Sequence, residues 1–259
     1  MSSITLVQLT DTHLFAQPTS ELQKINTLYT LNKVLDSINS NESQIDCLIA
    51  TGDIAQDASL SAYKNFMLAI EKLAAPFRWI PGNHDNANLM RRISVGTDYS
   101  QKKLSFGNWE TIFLDTSVKH EVAGRLSETE LEFLEEALND AEYDEAIQNV
   151  LICLHHNPIN FQHSWSENMG LRNRSEFFSI IKKYPTVRCA IFGHLHQELD
   201  YMYEGIRWLC TPSTCAQFLA NAARFELDSS KPGYRRLRLY KNGYIDTKVI
   251  RLKDDYELE

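Results

Sequence analysis

The sequence predicts an α/β fold in which two packed mixed β-sheets are flanked by helices, an αββα sandwich. Strand-like and helix-like segments alternate through the first part of the chain, and hairpin-like pairs of strands make up the last part. Short continuous apolar runs such as Cys47–Thr51 are typical of strands buried on both faces, as in sheets covered by helices. No internal repeat or linker divides the 259 residues, so we expect one domain, residues 1–259.

The first half of the chain is predicted to alternate strands with helices. Three apolar runs predict strands, namely Ile4–Leu9, Cys47–Thr51 and Phe77–Ile80. Apolar residues at helical spacing from Leu22 to Ile38 predict the first helix. The second helix is expected over Asp57–Leu73, because Asp57 is a suitable N-cap residue.

The second half begins with two short strands, near Lys102–Phe106 and Thr111–Leu114. Ser127 and Glu130 have the spacing of a capping box, which predicts a helix that continues to about Asn139. A strand, a helix and a second strand follow, namely Val150–Leu154, Ser175–Lys183 and Val187–Phe192.

Hairpins are predicted towards the C-terminal end. The pairs are Glu198–Tyr203 with Ile206–Cys210, and Tyr234–Tyr240 with Tyr244–Leu252. Asn242-Gly243 is a strong signal for a two-residue turn in the second pair. This C-terminal hairpin region, about residues 234–252, leaves open whether the chain forms a homodimer.

Composition limits the classes of partner and the compartment. The chain has 26 basic and 34 acidic residues and a net charge of −8, which disfavours binding to nucleic acid or to an anionic membrane through a basic surface. No run of about 18 apolar residues is present, so no membrane span is expected and a cytoplasmic protein is predicted. The five cysteines include no Cys-x-x-Cys pair, which favours reduced core thiols over disulfides or metal ligands.

Acidic residues and histidines follow several of the predicted strands. Gly82 allows a sharp turn after the strand Phe77–Ile80, which aims Asn83 and His84 outward. Four other groups occupy similar positions: Asp11-Thr12-His13, Gly52-Asp53, His155-His156 and Gly193-His194-Leu195-His196. Side chains at the strand ends of an α/β fold meet in one crevice, so these groups can form one site despite their separation in sequence.

Seven of these side chains form a donor set suited to two metal ions: Asp11, His13, Asp53, Asn83, His155, His194 and His196. Oxygen and imidazole donors without thiolates favour Mn, Fe or Zn. Two such ions can bind a phosphate and activate water, which makes phosphoester hydrolysis the natural chemistry. Asp53 is expected to bridge the ions, because a carboxylate has two oxygens. No Ser or Cys is paired with a base, so we expect a hydroxide between the metals to be the nucleophile.

The motifs Asp-x-His, Gly-Asp, Gly-Asn-His-Asp, a later His and Gly-His-x-His, in this order, resemble the calcineurin-like metallophosphoesterase superfamily. The resemblance implies that the first metal is held by Asp11, His13, Asp53 and His196, and the second by Asp53, Asn83, His155 and His194. It implies that His84 binds no metal and acts as the catalytic general acid on the leaving oxygen. The implied lining of the phosphate pocket is His13, Asp53, Asn83, His84 and His196.

Four longer runs resemble bacterial class III cyclic-nucleotide phosphodiesterases: Gln8–Leu14, Thr51–Asp57, Gly193–Gln197 and Thr211–Phe218. This resemblance, over about residues 4–220, implies metal-dependent hydrolysis of 3′,5′-cyclic AMP to 5′-AMP, with other cyclic nucleotides left open as substrates. Fe and Mn are the expected metals, with Zn as the alternative. No chemistry can be deduced from the sequence for Gln56 or for the Pro-Ser-Thr-Cys run at 212–215.

Other functions stay open at this point. A metallophosphoesterase of another specificity, such as a 2′,3′-cyclic nucleotide phosphodiesterase, a phosphomonoesterase or a nuclease, would use the same residues, and a non-catalytic scaffold is the third hypothesis. His156 is expected to hydrogen-bond or pack beside the site, with substrate contact as the alternative, and Ser213 is interpreted as structural. Residues 157–173 are predicted to form a loop over the site, in which Trp165 either stacks on a purine or holds the loop on the core.

Overall fold

The computed structural model describes residues 3–159 and 166–253. The strands are β1 Ser3–Leu9, β2 Glu21–Leu22, β3 Ile25–Asn26, β4 Cys47–Thr51, β5 Phe77–Ile80, β6 Lys103–Phe106, β7 Trp109–Phe113, β8 Asn149–Cys153, β9 Val187–Phe192, β10 Leu199–Tyr203, β11 Ile206–Cys210, β12 Gln217–Phe218, β13 Leu227–Asp228, β14 Gly233–Tyr240 and β15 Ile245–Arg251. The helices are α1 Thr27–Asn41, α2 Leu60–Ile70 with a 3₁₀ turn at Glu71–Leu73, α3 Ala87–Ile93, α4 Glu128–Tyr143 and α5 Arg174–Ile181. None of the helices in these ranges is long and apolar enough to cross a bilayer.

Most strands belong to two sheets. The first has the order β15-β14-β1-β4-β5, in which β1, β4 and β5 are parallel and β14 is antiparallel to β1. The second has the order β10-β11-β9-β8-β7-β6, and its four central strands are parallel. The strands β2 and β3, and likewise β12 and β13, form small separate hairpins. Both sheets are therefore mixed, as predicted.

The two sheets pack face to face, and helices cover their outer faces. Along β1, Leu6 belongs to the core between the sheets, whereas Val7 belongs to the core under α1 and α2. On the second sheet, Leu151 of β8 faces the first sheet and Ile152 packs under α4 and α5. This alternation gives four layers in the order helix, sheet, sheet, helix, which confirms the predicted fold class.

Polar contacts fix the position of one sheet on the other. Arg235 of β14 is buried, and its guanidinium donates hydrogen bonds to the Cys210 carbonyl at 2.7 Å and to Thr211 Oγ1 at 3.1 Å. Trp109 of β7 donates through Nε1 to the Tyr240 carbonyl at 2.9 Å. These bonds cross between the sheets, so the loops that follow β1 and β4 are held beside those that follow β8 and β9.

The first helix begins later than predicted, at Thr27 rather than near Leu22. Leu22 instead pairs with Ile25 in the hairpin of β2 and β3. Asn26 then caps α1 by accepting a hydrogen bond from the N–H of Tyr29 at 2.8 Å. The hairpin residues Leu22 and Ile25 continue the apolar spacing of α1, so the spacing alone does not show where the helix begins.

The second helix begins at Leu60, and its cap is Ser59 rather than Asp57. The Ser59 hydroxyl accepts from the N–H of Ala62 at 3.1 Å. Asp57 instead accepts from the N–H of Ala16 at 2.8 Å and so holds the loop after β1. The predicted cap was wrong because a partner distant in sequence binds the carboxylate.

The predicted capping box on α4 is half formed. The Ser127 hydroxyl accepts from the N–H of Glu130 at 3.1 Å, as expected. The Glu130 carboxylate does not return to Ser127 but accepts from Lys102 Nζ at 2.6 Å and from the N–H of Asp115 at 3.1 Å. The helix continues past the predicted end to Tyr143.

The C-terminal hairpin pairs β14 with β15 as predicted, but its turn has three residues rather than two. The N–H of Tyr240 donates to the Tyr244 carbonyl at 3.0 Å, which leaves residues 241–243 as the loop. Gly243 takes a φ of 83°, the left-handed position of such a turn. The sequence patterns predicted neither α3 nor the hairpin of β12 and β13, which are too short to give a periodic signal.

Candidate metal centre

Five loops that follow β1, β4, β5, β8 and β9 carry the predicted site residues. In this order they supply Asp11 with His13, then Asp53, Asn83 with His84, His155, and His194 with His196. The structure brings all eight residues into one region, and all except Asn83 and His84 are buried. The predicted convergence at the strand ends is thus what the fold produces.

The backbone is unusual at the site residues themselves. Five of them have positive φ angles: Asp11 at 53°, His13 at 46°, Asp53 at 50°, His194 at 69° and His196 at 51°. A left-handed conformation costs a residue other than glycine on the order of 1–3 kcal/mol, so the surrounding contacts must hold it. The fold therefore imposes these conformations, as is common where side chains are aimed at a ligand.

Two glycines make room for the carboxylates. A Cβ atom at Gly82 would lie 2.2 Å from Asp53 Oδ1. A Cβ atom at Gly193 would lie 2.0 Å from Thr10 Oγ1 and 2.6 Å from an oxygen of Asp11. A carbon atom does not fit at such distances, which explains why glycine precedes the ligand candidates in Gly-Asn-His-Asp and Gly-His-x-His.

Asp53 lies between two groups of potential ligands. Its Oδ2 atom is 3.3 Å from His155 Nε2 and 3.8 Å from His13 Nε2. Its Oδ1 atom accepts a hydrogen bond from the backbone N–H of His84 at 2.8 Å. Asp53 is shared by two clusters, one with His13 and His84 and the other with Asp11 and His155. A carboxylate with two oxygens can serve both clusters at once.

Asp11 forms the other side of the site. One carboxylate oxygen is 3.4 Å from His196 Nε2 and 4.0 Å from His13 Nε2. The carboxylate also accepts hydrogen bonds from the N–H of His194 at 3.0 Å and from the Thr10 hydroxyl at 2.7 Å. These donors hold the Asp11 carboxylate where the two sheets meet, and its other oxygen faces His196 and His13.

Three histidines have Nδ1 against a fixed acceptor: His155 against the Thr51 carbonyl at 2.8 Å, His196 against the Ala216 carbonyl at 2.7 Å, and His13 against Gln56 Oε1 at 2.7 Å. An acceptor at this position requires the proton on Nδ1, so the neutral ring presents its Nε2 lone pair to a metal. The Nε2 atoms of His13 and His196 are 3.0 Å apart, so one cation can contact both nitrogens.

The donor set fits two divalent cations. Asn83 Oδ1 lies 3.2 Å from His155 Nε2, so an amide oxygen joins the imidazoles on that side. Over the described residues, the clusters of potential ligands consist of Asp and His alone, and all five cysteines are free and buried. The shared Asp53 and the two surrounding clusters therefore suggest a dinuclear site with oxygen and nitrogen ligands.

Burial and mutual contacts set the protonation of these groups. Burial lowers the pKa of His13 to about 4 and the pKa of His194 to about 3. Burial would raise the pKa of Asp53, but His155 and His13 outweigh it and hold that pKa well below its usual range. Burial also disfavours charged His155, yet Asp53 raises its pKa to about 9. His13 and His194 are thus neutral at pH 7, the form that binds a metal, whereas His155 must first release a proton.

His156 lies beside the site but is fully engaged within the fold. Its Nδ1 atom is 2.7 Å from Thr116 Oγ1, and its Nε2 atom is 3.0 Å from the Val122 carbonyl. Burial keeps the pKa of His156 well below its usual range, so the ring is neutral. With both nitrogens engaged and no surface exposed, His156 takes the predicted hydrogen-bonding role rather than the alternative of substrate contact.

The Pro-Ser-Thr-Cys run and the residues after it support one side of the site. The buried Ser213 hydroxyl donates to the Asp11 carbonyl at 2.7 Å, which agrees with a structural role. The Ala216 carbonyl holds His196 Nδ1, and the Phe218 ring stacks on the His196 ring with centroids 3.9 Å apart. This segment therefore positions Asp11 and His196, a role that the sequence did not reveal.

Asp85, the last residue of Gly-Asn-His-Asp, is a supporting residue for which the sequence alone predicts no role. Its carboxylate accepts hydrogen bonds from the N–H groups of Gly82 at 2.9 Å, Ile54 at 3.1 Å and Ala55 at 2.9 Å, and from the Tyr63 hydroxyl at 3.2 Å. Burial and then repulsion from Asp53 raise the pKa of Asp85 to about 7, against the effect of the N–H donors. Asp85 thus ties the turn that carries His84 to the loop after β4.

The predicted loop at residues 157–173 is described only in part. Residues 160–165, which include Trp165, lie outside the described residues, so the two alternatives for Trp165 stay predictions. At the described end, the N–H of Leu171 donates to the Asn157 carbonyl at 2.9 Å, and the N–H of Gly124 donates to the Gly170 carbonyl at 3.2 Å. These bonds attach the segment to the loop that holds His156.

Comparisons with known proteins agree with the geometry. The profile of the calcineurin-like phosphoesterase family matches residues 4–198. The chain is 38% identical over 253 residues to the 3′,5′-cyclic adenosine monophosphate phosphodiesterase CpdA of Pseudomonas aeruginosa, covering 98% of this chain and 92% of that protein. It is 40% identical over 253 residues to the protein of the same name from Escherichia coli strain K12, covering 97% and 90%. A dimetal phosphatase from Danio rerio has the same fold, with a TM-score of 0.63 at 15% identity over 96% of this chain and 98% of that one.

Proposed function

The chain belongs to the calcineurin-like phosphoesterase family, and on this premise we propose that it is a metal-dependent phosphodiesterase that hydrolyses 3′,5′-cyclic AMP to 5′-AMP. The observation that carries the proposal is the position of the buried Asp53, whose Oδ2 atom lies between His155 Nε2 at 3.3 Å and His13 Nε2 at 3.8 Å. The choice of substrate is supported by two relatives named as 3′,5′-cyclic AMP phosphodiesterases, which match nearly the whole chain.

The site residues divide into two sets of ligands. Asp11, His13, Asp53 and His196 would hold one ion, and Asp53, Asn83, His155 and His194 would hold the other. When bound, two such cations supply polarisation of the phosphoryl oxygens and a water molecule of lowered pKa. Fe and Mn suit these oxygen and imidazole donors, and Zn is the alternative.

Over residues 3–159 and 166–253, neither Ser213 nor Cys215 is suited to attack the phosphate. Ser213 is buried and donates its proton to a backbone carbonyl. Burial raises the pKa of the Cys215 thiol to about 12, so the reactive thiolate does not form at neutral pH. A water oxygen is therefore the atom that forms the new bond to phosphorus as the bond from phosphorus to the 3′ oxygen breaks.

The surroundings of His84 support a role in protonating the leaving oxygen. Its backbone is anchored by the hydrogen bond to Asp53, and its ring stands edge-on to His13 with centroids 5.0 Å apart. Unlike the three histidines with fixed Nδ1 acceptors, His84 has no hydrogen bond to a ring nitrogen from the part of the chain that the structure describes, and it is partly exposed. We assign it the transfer of a proton to the 3′ oxygen, a step worth about 10²–10⁴-fold in rate.

We also propose a cytoplasmic location for the reaction. The five cysteines are all free and buried; four of them lie in the hydrophobic core, and Cys215 lies in the Pro-Ser-Thr-Cys run. Reduced thiols are typical of proteins in a reducing compartment. Measurement of enzyme activity in a cytosolic fraction, with a periplasmic marker as control, tests this proposal.

The decisive experiment is a substrate screen with purified protein supplied with Mn²⁺. The panel contains 3′,5′-cyclic AMP, 3′,5′-cyclic GMP, the 2′,3′-cyclic nucleotides, p-nitrophenyl phosphate and bis-p-nitrophenyl phosphate. We expect 5′-AMP as the product, with one oxygen from labelled water on phosphorus, and loss of turnover with EDTA. A 3′-AMP product, a covalent phosphoenzyme, or rapid 2′,3′-cyclic nucleotide hydrolysis without 3′,5′-cyclic AMP hydrolysis would contradict the proposal.

A further inference from the structure

A chain of aromatic contacts leads outward from the candidate metal centre. The Phe218 ring lies parallel to the His196 ring, with centroids 3.9 Å apart and an angle of 12° between the planes. Phe225 packs edge-on against Phe218, with centroids 5.0 Å apart and an angle of 69°. Phe225 is thus two ring contacts away from a residue that lines the proposed phosphate pocket.

Phe218 and Phe225 belong to the hairpin of β12 and β13, which is firmly attached to the site. Phe218 pairs with Leu227 across the hairpin. At its base, Gln217 donates through Nε2 to the Ser213 carbonyl at 2.8 Å, and Ser213 in turn holds the loop after β1. The position of the hairpin relative to the metal centre is therefore set by hydrogen bonds and ring stacking together.

The hairpin presents an apolar surface to solvent. Its exposed apolar side chains are Leu219 at 37%, Phe225 at 43% and Leu227 at 46%. Large apolar groups gathered on the surface next to a polar pocket commonly contact a ligand. A nucleotide combines the two groups that this arrangement would bind. Its phosphate would bind at the metal centre, and its planar base lies a short distance from that phosphate.

We propose that this hairpin binds the purine base of the cyclic nucleotide and that Phe225 is the main stacking contact. The inference rests on the proposed function, which supplies a nucleotide with its phosphate beside His196. Loss of one aromatic contact to a base typically lowers affinity about tenfold or more. Every base has a π-face, so the hairpin favours nucleotides over small phosphodiesters rather than adenine over guanine.

The test compares a substrate with a base and a substrate without one. The two are 3′,5′-cyclic AMP and 1-O-methylribose 3′,5′-cyclic phosphate, which contain the same cyclic phosphodiester. We expect Phe225→Ala to raise KM for cyclic AMP about tenfold with little change in kcat, and to leave kcat/KM for the base-free diester unchanged. Phe225→Trp should restore KM. Tyr143→Ala removes an aromatic ring that is 86% exposed on α4 and should change neither substrate.

Binding of products gives a readout that does not depend on turnover. In the same variants, calorimetry should show that Phe225→Ala weakens binding of 5′-AMP about tenfold and leaves binding of ribose 5-phosphate unchanged. Phe225→Leu keeps an apolar side chain on the hairpin, so it separates stacking from hairpin stability and should behave like Phe225→Ala.

Two results would overturn the inference: equal losses on the base-containing and base-free ligands, or no loss on either. If the unaltered protein hydrolyses no cyclic nucleotide, the proposed function fails instead. The difference between 5′-AMP and ribose 5-phosphate binding still decides the role of Phe225 in that case.

Discussion

Replacement of Asp85 by Ala should destabilise the protein and disable the site together. The carboxylate is the acceptor for three backbone N–H groups and for the Tyr63 hydroxyl. A donor left without an acceptor in the interior costs about 1–3 kcal/mol, and water that enters the vacated space recovers part of this. We expect the free energy of unfolding to fall by about 3–5 kcal/mol, a large fraction of the total for a typical domain.

The assay is denaturation of the metal-free protein in guanidinium chloride, followed by tryptophan fluorescence. Trp79 is a suitable reporter, because its ring centroid lies 6.0 Å from that of Tyr63. In the metal-loaded protein, Asp85→Ala should also lower kcat, since the turn that carries Asn83 and His84 loses its attachment to the loop after β4. Metal content and kcat are measured on protein that is still folded below the unfolding transition.

Asp57→Ala is the matched control for Asp85→Ala. Asp57 also accepts hydrogen bonds from backbone N–H groups, those of Ala16 and Ser59, but its side chain is exposed. Its replacement should change the free energy of unfolding by no more than about 1 kcal/mol. Unfolding of Asp85→Ala at the same denaturant concentration as the unaltered protein, or equal destabilisation of Asp57→Ala, would contradict this prediction.

Four further predictions follow from the contacts at the site. Asp53→Ala should lose both metals, and elemental analysis that finds two metals per chain in this variant would rule out a bridging role. His84→Ala should keep its metals and lose about 10²–10⁴-fold in rate on 3′,5′-cyclic AMP but less on bis-p-nitrophenyl phosphate, whose leaving group needs little protonation. Equal losses would indicate phosphate positioning instead. Gln56→Ala should weaken metal binding about 10–100-fold in a chelator competition, and Gln56→Glu should restore it, because either side chain supplies an oxygen to His13 Nδ1. In the metal-free protein, the raised pKa of Asp85, about 7 against 3.8, means that the native state holds a proton that the unfolded state lacks between these values. Its contribution to stability therefore falls as pH rises from about 4 to 7. Asp85→Asn should remove this dependence of stability on pH, which denaturation at pH 5 and pH 7 can measure. An unchanged difference between the two pH values would contradict the assignment to Asp85.

Local patterns were sufficient for parts of the fold and insufficient where a distant partner intervenes. The strands β5 and β9 begin and end at the predicted residues, because turn residues on both sides of a short apolar run mark the ends of the strand. The start of α2 was misplaced because Asp57 binds Ala16, 41 positions away. An aspartate that caps a helix and an aspartate that binds a distant loop look alike in the sequence, so only the folded structure distinguishes them.

The same distinction applies to the candidate site. The motifs predicted which side chains would meet, because strand ends in this class of fold converge. They could not predict the supporting contacts, such as Gln56 against His13 at a separation of 43 positions or Ser213 against Asp11 at 202. Neither contact belongs to a repeating pattern, so no local signal for it exists in the sequence.

The left-handed conformations at the site set activity and robustness against each other. Glycine would adopt the φ angles of Asp11, His13, Asp53, His194 and His196 without steric cost, and each exchange would release strain of about 1–3 kcal/mol while losing about 0.5–1 kcal/mol to greater chain entropy. Glycine at Asp11 or Asp53 would, however, leave the N–H groups of His194 and His84 without their acceptors. Relief of strain at either carboxylate therefore comes with the loss of a contact between loops, so the centre cannot be relaxed one residue at a time without loosening its surroundings.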